Sequence, residues 1–188
     1  MNPDSFPLLA SLLLPLIGAG GIVLAQRHPN LRESVTLATA VLLFVCVCQL
    51  VAPVTSGLRP ELTLVEPLPG MPVAFRVEPL GMLFALVASG LWIVNSVYSI
   101  GYMRGNREAH QTRFYLCFAM SIAAALAIAF AANLLTLFLF YEVLTLVTYP
   151  LVTHAGTDKA KQAGRVYLGI LMGTSVLFLL PAVIYTAF

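Results

Sequence analysis

The sequence predicts an all-α integral membrane protein: a bundle of six transmembrane helices with a short outside β-hairpin between helices 2 and 3. Composition is the first observation behind this. Of 188 residues, 60% are hydrophobic and 10% charged, against about 45–50% and about 25% in soluble domains. Mean hydropathy, the second, is +0.92. Third, six apolar runs come near the roughly 20 residues that a helix needs to cross a bilayer. Together these exclude a disordered chain, a soluble enzyme and a disulfide-stapled secreted domain. The net charge of +2, from 10 basic and 8 acidic residues, is too small and scattered for a nucleic-acid surface.

The first span is read as 6–26. Its leader carries Asp4 and no basic residue, whereas a signal peptide needs a basic n-region, so the expectation is a permanent helix. Pro7 suits a first helical turn, and Pro15 with Gly18, Gly20 and Gly21 predicts a kink or close packing. The second span is 34–52. It carries Cys46 and Cys48, whose thiols point apart on a helix; with Cys117 they read as small packing residues rather than a metal or disulfide site. No cofactor or metal is expected.

The loop 53–78 contains an extended stretch through Thr63 and Val65, turn chemistry at 67–72, and an alternating stretch around Phe75, which together predict the hairpin. It reads equally as a docking surface for a neighbouring subunit or as a lid on its own helices. The third span, 79–103, has a polar end at Ser96, Tyr98, Ser99 and Tyr102. Spans 113–132 and 133–152 have almost nothing between them and read as a tight antiparallel pair. The sixth span is 163–188, preceded by a loop holding Lys159 and Lys161, and the whole chain reads as one membrane domain, 1–188.

Basic residues orient the bundle. Arg27, Arg32, Arg104, Arg107, Arg113, Lys159, Lys161 and Arg165 fall on one side, and Arg59 and Arg76 on the other. Basic loops stay in the cytoplasm, so both termini are expected outside.

Within the spans so drawn, one acid remains: Glu142, near the middle of the fifth. A charged acid there costs on the order of 3 kcal/mol, and intramembrane ionisable residues usually serve an ion pathway. The alternative is a structural glutamate hydrogen-bonded between helices. Thr145 and Tyr149, at i+3 and i+7, share its helix face, while Tyr149 reads equally as an interfacial aromatic. His154 stands at the cytoplasmic end of the span, as a proton-entry group or a merely solvated one. Arg165 is the cation nearest in sequence for pairing with Glu142, or a residue that snorkels to the headgroups.

The succession Glu78-Pro-Leu-Gly-Met-Leu-Phe, Val97-Tyr-Ser-Ile-Gly-Tyr-Met-Arg, His110-Gln-Thr-Arg-Phe-Tyr, Ala129-Phe-Ala-Ala-Asn-Leu and Phe140-Tyr-Glu-Val-Leu-Thr-Leu-Val-Thr-Tyr-Pro-Leu resembles the antiporter-like, proton-pumping subunits of complex I and its relatives. It looks most like the D-type member of Mrp cation/proton antiporters and the similar subunits of membrane-bound hydrogenases. The resemblance implies that Glu142 pairs with a lysine on a later, broken helix and switches charge as protons move. It covers roughly the first half of a family member, and the lysine-bearing helices fall beyond it. A partner polypeptide would supply them, or the chain is an accessory subunit or a fragment.

The expected function is thus that of a membrane subunit in a multisubunit proton-translocating or sodium/proton antiporter complex of the inner (plasma) membrane. Its expected partners are other membrane subunits, the lipid bilayer, and protons or sodium. The alternatives are a non-conducting scaffold subunit, or a subunit of a redox-driven pump of hydrogenase or NADH/quinone type. Catalysis by the chain alone is not expected.

Overall fold

The computed structural model describes residues 5–68 and 70–187. The leader with Asp4, Pro69 of the expected turn, and Phe188 lie outside them. Six helices are long and apolar enough to cross a membrane, and two antiparallel strands lie between the second and third.

Helix α1 (Ser5–Leu24) buries Leu8, Leu12, Pro15, Ala19 and Ile22, one helical stripe, against α2 (Pro29–Gln49) and α5 (Gln111–Ala129). Gly18 and Gly21 sit where α2 crosses: a Cβ on Gly18 would stand 2.5 Å from Thr39 Cγ2, and one on Gly21 2.9 Å from Val35 Cγ1. Gly20 faces open space.

Helix α2 begins at Pro29, five residues before the expected start at Ser34. His28 is extended and Pro29 takes the first helical turn, where its missing N–H costs nothing. A short helix, α3 (Val51–Thr55), prolongs the same span beyond the expected end at Ala52. Arg32 and Glu33 therefore belong to a spanning helix and not to a loop.

Strands β1 (Glu61–Leu68) and β2 (Met71–Arg76) form the expected hairpin, with Gly70 at φ +80° in the turn. The Gly70 amide donates to Glu66 Oε1 at 2.6 Å, and Arg76 Nε donates to Glu61 Oε1 at 2.6 Å. Of the two readings of this loop, β2 follows the lid. Val73 and Phe75 are buried, and the strand crosses the turn between α5 and α6 (Leu134–Val152). The Arg76 amide donates to Phe130 O at 2.7 Å and the Ala132 amide to Ala74 O at 2.9 Å. Asn133 Nδ2 donates to Pro72 O at 2.7 Å, and the Ala74 amide to Thr136 Oγ1 at 3.0 Å.

Helix α4 (Pro79–Gly105) runs two residues past its expected end. Helix α5 spans 111–129 rather than 113–132, because Phe130 and Ala131 leave the helix to meet the hairpin. Helix α6 starts at 134, capped by the Asn133 side chain, which accepts from the Thr136 amide at 2.8 Å.

Helix α7 (Asp158–Thr174) starts five residues before the expected 163. Thr157 caps it by accepting from the Ala160 amide at 3.1 Å, and Asp158 favours the positive end of the dipole. Lys159 and Lys161 are thus helical, correcting their assignment to a loop. The span widens into one π-helical turn, Ser175–Leu179, before α8 (Leu180–Ala187). Pro181 follows, with no N–H to give to the Leu177 carbonyl.

Trp92, Phe75, Phe130, Leu8, Ile22, Leu43, Leu50 and Leu126 are fully buried, so the core lies among α1, α2, α4, α5 and the hairpin. The last two spans are the barest, with 11% of each apolar window buried against 28–39% for the other four.

Candidate functional site

Glu142 lies on α6 about 12 Å from one end and about 15 Å from the other, at 1.5 Å per residue. Helices α6 and α7 pack as neighbours through a polar seam. At its deepest point the Ser175 hydroxyl, at the start of the π turn, donates to Glu142 Oε1. Glu142 Oε2 is buried and has no hydrogen-bond partner among the described residues. Further along, Thr148 Oγ1 and Tyr167 Oη lie 3.4 Å apart. Next, Gly164 lets Tyr149 and Thr153 close on α7; a Cβ there would meet Thr153 Cγ2 at 2.3 Å and the Tyr149 ring at 3.1 Å.

The five residues read from the sequence are distributed along this seam and beyond it. Thr145 is buried beside Glu142, but its hydroxyl donates to Tyr141 O at 3.0 Å on its own helix. Tyr149 packs over Gly164. His154 follows the end of α6, about 18 Å along the axis from Glu142. Its ring meets Phe114 edge-on at 5.8 Å, and its carbonyl accepts from Arg113 Nη2 at 3.2 Å. Burial pushes the His154 imidazole below its ordinary value, the adjacent Arg113 charge pushes the same way, and Glu108 opposes them. The neutral imidazole is therefore favoured, as suits a group between an apolar ring and a cation. Arg165 is exposed on α7 and makes no ion pair among the described residues. The structure joins neither His154 nor Arg165 to Glu142.

Two features escaped sequence reasoning. Ser175 is one. Its signal was the polar Thr174-Ser175 pair inside an otherwise apolar run, although nothing local ties it to Glu142. The other is a buried charge cluster where α2, α4 and α5 meet. Glu33 is 4% and Arg32 5% exposed, so Glu142 is not the single buried acid. Arg32 Nη2 stands 3.5 Å from Glu33 Oε1, and Arg104 Nη2 stands 2.5 Å from Glu33 Oε2. Arg32 also donates to Thr112 Oγ1 at 3.1 Å and Gln111 Oε1 at 2.8 Å, with its guanidinium 5.2 Å over the Tyr115 ring.

Comparison with known proteins places this fold. Residues 70–115 match the family model described as the N-terminus of chain 5 of NADH-ubiquinone oxidoreductase (complex I). The chain is 31% identical over 143 residues to DabB1 of Halothiobacillus neapolitanus, a probable inorganic carbon transporter component, covering 76% of this chain and 24% of that protein. It is 24% identical over 180 residues to the D component of a probable K(+)/H(+) antiporter of Rhizobium meliloti, covering 92% of this chain and 32% of that one. Against the membrane-bound sulfane sulfur reductase, an archaeal respiratory membrane complex, the TM-score is 0.71 at 19% identity, covering 86% of this chain and 24% of the matched chain. The chain thus spans about a quarter to a third of these relatives, less than the half the motifs suggested. This multi-pass membrane protein is similar in sequence to the N-terminus of complex I chain 5 over residues 70–115 and to antiporter subunits over more of its length, and similar in fold to part of a respiratory membrane complex.

Proposed function

We propose that the chain is a membrane subunit of a multisubunit proton-translocating or sodium/proton antiporter complex, with Glu142 contributing to an ion path that partner chains complete. One observation carries this reading. A mid-helix carboxylate has one oxygen held by Ser175 and the other buried without a partner among the described residues, on the two spans the chain itself covers least. An acid in that position is ready for a proton or a cation from a neighbour. The likeness to antiporter subunits supports the same reading.

In this proposal residues 1–188 act as one membrane domain. Thr145 and Tyr149 line the path, and His154 serves proton entry at its cytoplasmic end. Arg165, exposed ten residues before Ser175 on the same span, stands toward the cytoplasmic end of the path. The complex sits in the plasma membrane with both termini outside. A scaffold role competes with this, favoured by the absence of any ion pair to Glu142 among the described residues.

The deciding experiment is Glu142→Gln in the assembled complex, read as pH-gradient formation in proteoliposomes. Gln keeps size and hydrogen bonding but cannot ionise. The expected result is normal assembly with transport lost by at least about 100-fold, the low end of what a proton-transferring group contributes. Glu142→Asp should keep part of the activity. Wild-type transport by an assembled Glu142→Gln complex would leave only the scaffold role.

Orientation has its own test. With Cys46, Cys48 and Cys117 replaced, a single cysteine at Arg107 should react with an impermeant thiol reagent from the cytoplasm alone. Reaction from outside alone would invert the bundle.

A further inference from the structure

We infer that Ser175 is a positioning residue for Glu142, a hydroxyl rotor that gives the Oε1 side of the carboxyl group a hydrogen-bond partner in both of its protonation states. The inference rests on the proposed role of Glu142 and adds to it the residue that lets the charge change at low cost.

The geometry is a three-member set. Ser175 is 5% exposed, and its single hydroxyl hydrogen has two acceptors in reach: Glu142 Oε1 on α6 and, at 3.0 Å, the Met172 carbonyl one turn back on α7. It can donate to only one of them at a time. When Glu142 is ionised, the hydroxyl donates to the carboxylate, a charge-assisted bond. When Glu142 takes up a proton from the path, its own O–H donates to Ser175 Oγ. The hydroxyl then turns its hydrogen to Met172 O, the back-bond that helical serines commonly make. One proton enters, one rotor turns, and no buried donor is stranded in either state. Without the hydroxyl, the ionised state leaves Oε1 without its donor and the protonated state leaves the carboxyl O–H without its acceptor, which is the costly case.

The π turn supports this reading. It begins at Ser175, the residue that meets Glu142, and single wide turns of this kind are frequent at functional sites. No charged side chain duplicates the task. The titratable and charged groups on the elements packed against α6 are Arg113, Tyr115 and Cys117 on α5 and Arg76 on β2. Helix α7 adds Asp158, Lys159, Lys161, Arg165 and Tyr167, and α8 adds Tyr185. None of them forms an ion pair or hydrogen bond with Glu142 among the described residues.

The test uses the assembled complex in proteoliposomes, with proton transport measured across pH for wild type, Ser175→Ala, Ser175→Thr and Glu142→Gln. Ser175→Ala removes the donor that favours the ionised carboxylate. Its acid limb should therefore move to higher pH by about one unit, the equivalent of about 1.4 kcal/mol. Ser175→Thr keeps the hydroxyl and should restore the wild-type profile. Infrared difference spectra should show a carboxyl C=O band that is absent in Glu142→Gln and shifted in Ser175→Ala. Should Ser175→Ala not assemble, Ser175→Cys, a near-isostere with a weak donor, carries the same two readouts. If the serine variants match wild type in profile and band while Glu142→Gln is inactive, the rotor is refuted and the role of Glu142 stands. If Glu142→Gln itself transports normally, both readings fall together.

Discussion

Glu33→Leu is expected to destabilise the folded chain by about 3–5 kcal/mol, the cost of stranding a buried charge by removing its partner. Arg32, 5% exposed, would keep Thr112, Gln111 and the Tyr115 ring but lose its counter-ion. Arg104 would suffer less, because its side chain is 48% exposed and turns to solvent. The asymmetry gives a control. Arg104→Met should cost much less than Glu33→Leu, and the double change Arg32→Met with Glu33→Leu should recover much of the loss, since a well-packed apolar pair commonly replaces a buried ion pair at little cost. Unfolding in detergent, followed by the fluorescence of the single, buried Trp92, reads the difference. Equal midpoints for wild type and Glu33→Leu would show that the cluster is solvated and adds nothing.

Gly81→Ala is the second large effect, a steric one. A Cβ on Gly81 would stand 2.1 Å from the Ala129 carbonyl oxygen, which belongs to the backbone and cannot rotate away. The start of α4 would have to leave the end of α5. Overpacking of this kind costs about 1–3 kcal/mol, occasionally more. The same substitution at Gly101, on the same helix with nothing within 4 Å, should be neutral or stabilise by up to about 1 kcal/mol through helix propensity. The signs should therefore differ between two glycines of one helix, in the same unfolding assay. A Gly81→Ala midpoint at or above that of wild type would show that the two helix ends do not touch.

Much of the architecture was legible because membrane spans announce themselves by length and composition. The hairpin was legible through the Pro and Gly cluster at its turn. The ends of the spans were harder. Arg32 and Glu33 looked like loop residues because charge beside a span normally marks its end; the second cation on Glu33, Arg104, lies 71 positions away from it. Similarly, Lys159 and Lys161 signalled a loop, although Thr157 had already begun a helix. At the candidate site, Glu142 stood out as an acid in an apolar run. Ser175 did not, because a serine is cheap in a transmembrane helix and its partner is 33 residues away. Single residues that break a composition rule can be read locally, whereas pairings between helices cannot.

The strap formed by β2 has a consequence for how the chain is made. Its bonds run to Phe130, Ala132, Asn133 and Thr136, which are synthesised more than fifty residues after the strand itself. Until α4, α5 and α6 have all entered the bilayer, these partners are missing, and the 53–78 segment waits in water with its backbone groups hydrated. Closing the strap therefore has to wait until the α5–α6 turn has been made. Once closed, it ties the α5–α6 turn to the start of α4, much as a buckle holds only when both ends of the belt have been threaded.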